Sequence, residues 1–240
     1  MGRTFKEIIK KPSLLFMTFG HREFFNWMDD ETYIKIVFKI SMGKELNLEN
    51  PQTFSEKLQW MKLYDRNPLY TKLVDKYAVK HIVEQKIGAQ YIIPTLGVWE
   101  KFDEIDFDKL PNRFVLKCTH DSGGLIICKD KSELDKDKAR IIINKCLKHN
   151  YFWGDREWPY KDVPPRIIAE EYMEDSKTAE LRDYKFFCFD GQVKALFIAT
   201  DRSKGAHETR FDFFDENFNH LPFTNGHPNA DVMPEKPMCF

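Results

Sequence analysis

Long apolar runs are missing from this sequence. The one near its N-terminus, Leu14–Phe19, is closed off by His21, Arg22 and Glu23, far short of the ~20 residues a membrane-spanning helix needs. A signal-peptide cleavage pattern is missing as well, and Lys6 stands where a myristoylation signal at Gly2 would want Ser or Thr. These absences argue for a cytoplasmic location with no transmembrane segment, and they leave peripheral membrane contact by the leader open. An excess of either charge is also missing. Lysine and arginine total 37 against 38 acids, which removes the global electrostatic case for a nucleic-acid partner, so any anion site must be a local concentration of charge. The five cysteines, Cys118, Cys128, Cys146, Cys188 and Cys239, are odd in number and show no C-x-x-C spacing. Buried reduced thiols are the simplest account. The seven histidines add no metal-ligand spacing, which argues against a structural zinc. No Gly-Lys-Ser/Thr opens a helix, so a P-loop is excluded, and no repeat or low-complexity tract appears.

What is abundant is aromatic side chain, at 15% with 21 phenylalanines, enough to fill a core and to argue against disorder. Asp29-Asp30 caps a helix through Ile34, Val37, Phe38 and Met42, with Gly43 as its stop. Thr53 to Glu56 forms a capping box before Leu58, Trp60, Met61 and Leu63. Asn67-Pro68 opens a further helical region ended by Gly88, and YIIPTLGVW reads as a strand made an edge by Pro94. Ser132 is expected to cap a helix carrying Ile141–Cys146. The aromatic and proline-rich connection Tyr151–Pro165 is long enough to be functional or mobile. Strands are expected at Arg166–Met173, Leu181–Phe189 and Gln192–Thr200, the last two joined by the hairpin dipeptide Asp190-Gly191. The fold class is α+β, with a helical front over residues 1–100, a body over 101–165, and a strand-rich segment over 166–240.

The segment RFVLKCTHDSGGLIICKD, Arg113 to Asp130, concentrates the chemistry. A lysine fixed near a strand end is a point charge suited to phosphate, and adjacent glycines let backbone N–H groups approach anionic oxygens. Lys117 and the pair Gly123-Gly124 meet that description. Taken alone, the segment reads rather as a glycine-rich hairpin with one surface lysine.

Four features in order resemble the ATP-grasp enzymes. Asp75-Lys76 opens a helix ending at Gly88 before a proline-containing strand, and Lys117 precedes a loop containing Ser122, Gly123 and Gly124. Ile167–Met173 reads IIAEEYM, and Asp183-Tyr184-Lys185-Phe186 begins a hairpin that ends at Asp201-Arg202. The wording NPQTFSEKLQWMKLYDRNPLYTKLVDKYAVK and LRDYKFFCFDGQ is similar to the teichuronopeptide-biosynthesis (TupA-like) branch. The resemblance implies two α+β subdomains clamping ATP, with 101–165 as the small subdomain and its flap. It implies phosphate contacts from Lys76 and Lys117, and nucleotide contacts from Ser122, Gly123, Gly124, Glu170, Glu171, Tyr172, Met173 and Asp183. Lys185 and Arg202 would face the transferred phosphoryl group, with His120 and Asp121 over the phosphates or against substrate. The implied activity is an ATP- and Mg²⁺-dependent carboxylate–amine ligation through an acyl phosphate, on an acidic glycan or amino acid in cell-surface polymer synthesis. A nucleotide-sugar glycosyltransferase, a sugar kinase on the same clamp and a non-catalytic nucleotide-binding remnant are the alternatives. The first would want a D-x-D motif, and Asp212 and Asp215 have the wrong spacing. The family's metal-binding carboxylates come from late strands, expected here after Asn219–Phe223. The resemblance therefore implies a domain shortened at its C-terminus and names no metal ligands.

Overall fold

The computed structural model describes residues 14–175, 181–201 and 209–237. Arg202 lies outside the described residues. The chain divides into two compact units, Met1–Tyr172 and Met173–Phe240.

Among the described residues of the first unit, five helices precede the sheet: α1 Leu14–Gly20, α2 Asp30–Met42, α3 Phe54–Tyr64, α4 Leu69–Val74 and α5 Ala78–Ile87. The expected caps form. Asp29 accepts the Thr32 N–H at 2.9 Å, Gly43 closes α2 in the left-handed region at φ 69°, and Thr53 and Glu56 cap α3 reciprocally. Tyr33, Ile34 and Phe38 form the buried stripe of α2 at the helical spacing that defines one face. The helical region from Asn67 to Gly88 is divided between α4 and α5, the second helix starting just after Asp75-Lys76. Asp75 causes the break: its buried carboxylate accepts the Tyr77 N–H at 2.9 Å and pairs with Arg166 at 2.5 Å.

The strands of this unit are β1 Thr95–Trp99, β2 Phe114–Cys118, β3 Leu125–Cys128 and β4 Ile167–Glu171. They form an antiparallel sheet in the order β1-β4-β2-β3. β1 is an edge, and Pro94 sits just outside it, where a missing N–H breaks no ladder. Helix α6, Lys136–Leu147, lies against β2 and β3. Between them Phe114, Leu116, Ile143, Ile167 and Ala169 are buried in one cluster. The cap of α6 is Asp135, which accepts the Lys138 N–H at 2.9 Å. Ser132, the residue expected there, instead lies in a 3₁₀ turn capped by Asp130. β4 draws Ile167–Glu171 into this first unit because its backbone groups are satisfied by both β1 and β2, so the divide falls after Tyr172 rather than at residue 166.

The connection Tyr151–Pro165 contains the short helix α7, Phe152–Asp155, and is fastened by Arg156. That guanidinium is fully buried and stacks 4.2 Å from the Tyr33 ring and 4.7 Å from Trp153. It donates to the Phe25 carbonyl at 2.8 Å and lies 3.2 Å from the Asp30 carboxylate.

The second unit is a three-stranded antiparallel sheet of β5 Asp183–Phe189, β6 Gln192–Thr200 and β7 Arg210–Asp215, in that order. Asp190 and Gly191 take φ of 49° and 74°, the mirror-image turn that matches the twist of a hairpin. Cys188 is exposed on β5, contrary to the expectation of buried thiols, because that strand has solvent on much of both sides. β7 was not expected. Its inward position 212 is an aspartate, fully buried, which hides the period-two pattern. The Asp212 carboxylate accepts from Asn229 Nδ2 at 2.9 Å and from the Ala230 N–H at 3.1 Å, and lies 3.2 Å from His220 Nε2.

Candidate functional site

The register of the first sheet decides which side chains share a face. Val115 lies opposite Glu170 across β2 and β4, and Lys117 opposite Ile168. Lys117 and Glu170 are therefore diagonal neighbours on one face, while Phe114, Leu116 and Cys118 point the other way into the core. Lys117 Nζ forms an ion pair with Glu170 Oε2. Lys80, from α5, reaches Glu170 Oε1 at 2.6 Å and donates to the Ile93 carbonyl at 2.5 Å. Two ammonium groups thus hold one carboxylate whose side chain is only 5% exposed. Burial pushes the Glu170 carboxyl up, but the hydrogen bonds and charges of Lys117 and Lys80 outweigh it and hold the group below the usual carboxylate range.

Lys76 brings a third ammonium. Its backbone N–H donates to Thr119 O at 3.1 Å. Its Nζ donates to the Cys118 carbonyl at 3.2 Å and to the Asp121 carbonyl. Burial, together with the nearby Lys117 charge and against the pull of Asp121, depresses the Lys76 ammonium. The short link between α4 and α5 is laced to the same loop from below. Thr119 N donates to Arg166 O at 2.8 Å, and Arg166, paired with Asp75, stacks 4.9 Å from the Tyr77 ring. An open hollow of 650 Å³ lies along α5, lined by Tyr77, Lys80, Ile92, Pro94 and Thr95 among others.

The loop residues have separable duties. His120 is buried, and its Nε2 lies 3.1 Å from the Cys146 carbonyl and 3.2 Å from that of His149. Both partners are acceptors, so Nε2 carries the proton. Burial depresses the imidazole, leaving a neutral ring that ties the loop to the end of α6. Asp121 accepts the Ser122 N–H at 2.7 Å. Gly123 has open space around it, but a Cβ on Gly124 would lie 2.7 Å from Cys118 Sγ and 2.9 Å from Cys146 Cβ. Gly124 is therefore required by packing, whereas the sequence reading assigned it to backbone approach to anionic oxygens. Burial pushes the Cys118 thiol up to about 12 and the Cys146 thiol up to about 11, so neither is a thiolate nucleophile.

On the same face as Lys117 the register places Leu125, its partner on β3, and Ile127, opposite Val115. Both are exposed, an apolar strip beside the charged cluster. The structure thus gathers Lys76, Lys117, His120, Asp121, Ser122, Gly123, Gly124 and Glu170 within the first unit. Glu171 ends β4 as an exposed residue, and Tyr172 follows with its ring 4.2 Å from the Arg113 guanidinium. Met173, Asp183 and Lys185 belong to the second unit, Lys185 as an exposed residue of β5. Lys80 was missed by sequence reasoning. Its signal was helical spacing, one turn after Lys76 on the segment already singled out. Among the described residues no group of three His, Cys, Asp or Glu side chains is placed to hold a metal ion.

Residues 56–237 match the family described as TupA-like ATPgrasp. No curated protein and no solved structure matches the chain.

Proposed function

We propose, on the premise that this chain belongs to the TupA-like ATP-grasp family, that its first unit holds the phosphates of ATP on Lys76, Lys117 and Lys80 for a carboxylate–amine ligation. Family membership supports ATP binding and a ligase-like, ATP-dependent activity. The observation that carries the residue assignment is the convergence of three lysines, Lys76 and Lys80 at the start of α5 and Lys117 on β2, on one buried glutamate and one loop. Surface lysines that serve only solubility have no reason to meet, and like charges brought together raise the local affinity for an anion. Glu170 keeps the ammonium groups in place between turnovers, and the phosphates would compete with it for them. The exposed Leu125 and Ile127 offer the apolar surface that a base needs beside that charge.

Joining a carboxylate to an amine requires a better leaving group than oxide. In the proposed reaction a carboxylate oxygen attacks the γ-phosphorus and ADP leaves, giving an acyl phosphate. The amine then attacks the acyl carbon, inorganic phosphate departs, and the nitrogen loses a proton. The contribution of the chain is positioning and charge neutralisation, which Lys76, Lys80 and Lys117 are equipped to supply. Among the described residues no group of three His, Cys, Asp or Glu side chains is placed to hold a metal ion, and no step is assigned to a metal. The roles of Asp183, Lys185 and Arg202 rest on the sequence resemblance. An acidic glycan or amino acid of a cell-surface polymer is the proposed substrate class.

Incubation with ATP, candidate carboxylates and hydroxylamine tests the reading. Hydroxamate together with ADP is expected. ADP with a phosphorylated hydroxyl and no hydroxamate would make the protein a kinase, and tighter calorimetric binding of UDP-glucose than of ATP would favour the glycosyltransferase alternative.

A further inference from the structure

We propose that the hollow between α2 and α3 binds a free α-amino acid with an apolar side chain. Ile34, Val37, Phe38 and Met42 recur along α2 at the spacing of one helical face, and Leu58 and Lys62 lie one turn apart on the facing side of α3. The two stripes leave about 220 Å³ between them. At ~30 Å³ for each water-sized group that is room for about seven, the scale of a single amino acid rather than of the ~300–1,000 Å³ that a drug-sized ligand fills. Phe38 is buried in the wall, while Met42 and Leu58 are exposed, which leaves the hollow open to solvent.

The polar lining carries one charge of each sign. Lys62 donates to the Asp155 carbonyl at 2.9 Å, which leaves two of its three N–H groups for other acceptors. Burial depresses this ammonium against the pull of Glu157 and Asp155, so it is seated in the wall rather than in bulk water. Glu157 is outside the lining, and its own carboxyl is pushed up by burial. Asp155 lines the hollow, and among the described residues neither its carboxylate nor the Lys62 ammonium forms an ion pair. A simple anion would face Asp155, and a simple cation would face Lys62. A zwitterion satisfies both: its carboxylate meets Lys62, its ammonium meets Asp155, and its side chain takes the apolar wall of Val37, Met42 and Leu58. Ser55 and Gln59, also in the lining, make no hydrogen bond with another described residue and are left for polar contacts. The hollow is formed in advance. Asp29 and the Thr53–Glu56 box fix the two helices at their starts, and the Tyr33 hydroxyl donates to the Gly154 carbonyl at 2.8 Å, tying α7 to α2. A preformed site spends little binding energy on ordering itself.

Calorimetric titration of the full chain with L-leucine, without nucleotide, tests the proposal and separates its failure from that of the ligase reading. Saturable binding of L-leucine is expected. Leucinamide, which lacks the carboxylate, and 4-methylpentanoate, which lacks the ammonium, should each bind at least about tenfold more weakly, the loss of one charged hydrogen bond. L-Glutamate should also bind at least about tenfold more weakly, for want of an apolar side chain. Lys62→Met should erase the preference for L-leucine over leucinamide, and Asp155→Asn the preference over 4-methylpentanoate. A substitution that merely loosened the fold would weaken all these ligands alike. Ile141→Ser, which removes an exposed apolar side chain on α6, should leave binding unchanged. The wild-type ligand series decides the matter even where Lys62→Met fails to fold. No heat and no melting-temperature shift with millimolar L-leucine would overturn the proposal. So would equal affinity for L-leucine, leucinamide and 4-methylpentanoate, tighter binding of L-glutamate, or discrimination that survives both substitutions.

Discussion

Replacing Lys117 by alanine separates the two duties of this side chain. In the free protein it shares one buried carboxylate with Lys80. Removing one partner from a buried pair costs roughly 3–5 kcal/mol when the other charge is left uncompensated. Glu170 keeps Lys80 at 2.6 Å, and the Lys117 side chain is 30% exposed. The loss of unfolding free energy should therefore be smaller, about 1–2 kcal/mol. Nucleotide binding loses a charged hydrogen bond worth about 1.5–3 kcal/mol. At 1.4 kcal/mol per tenfold, that is a roughly ten- to hundredfold rise in the Kd for ATP. Urea unfolding of the free protein measures the first effect. Calorimetric titration with ATP, at a temperature where the variant is fully folded, measures the second. Adding Glu170→Gln removes the carboxylate that the missing ammonium served, so the double variant should be more stable than the sum of the two losses predicts. A folded Lys117→Ala protein that titrates with ATP at the wild-type Kd would refute the assignment of this lysine to phosphate.

Glu170 also gives the unit a pH signature. A carboxyl depressed in the folded state contributes stability above its unfolded value of about 4.3, and that stability is lost as pH falls through the folded value. The gap in urea midpoint between wild type and Glu170→Gln should narrow below about pH 4.3, and a constant gap would contradict this account. Gly124→Ala should destabilise by about 1–3 kcal/mol through overpacking against Cys118 and Cys146; Cys118→Ala in the same chain should recover part of it, and full additivity would place the strain elsewhere. Arg156→Ala should cost about 3 kcal/mol or more, since it removes a buried cation and orphans the Phe25 carbonyl and Asp30; an unchanged melting temperature would exclude Arg156 as a fastener. Asp212→Ala should free the segment around His220–Ala230, detected as faster proteolysis there while ATP affinity is retained.

Local chemistry was legible where one residue governs its neighbours. Asp29, Gly43, the Thr53–Glu56 box and Asp190-Gly191 acted as read because their partners lie within four residues. A helix start after Asp75-Lys76 was legible in the motif, but the ion pair that draws the Asp75 carboxylate inward was not, since Arg166 is distant in sequence. β7 was concealed for a similar reason: Asp212 is buried only because Asn229, Ala230 and His220 satisfy it. At the candidate site, Lys76 and Lys117 were singled out by motif, but the pairing of Glu170 with Lys80 depends on sheet register and helix placement together. The function of Gly124 depends on which sulfur atoms surround it, and no local pattern records that.

The position of β4 in its sheet has a consequence for how the protein is made. β4 lies between β1 and β2, so Glu170 must find Thr95 on one side and Val115 on the other. A nascent chain that has left the ribosome only as far as α6 has α1 through β3, but nothing to fill the slot between β1 and β2. Contacts of such long sequence separation form slowly, and until they form the incomplete sheet offers unpaired edges to other chains. The strand that closes that slot also delivers Glu170 to Lys80 and Lys117. Assembly of the charged cluster and completion of the sheet are therefore one event in biosynthesis, and the first unit has no shorter N-terminal fragment able to carry the site.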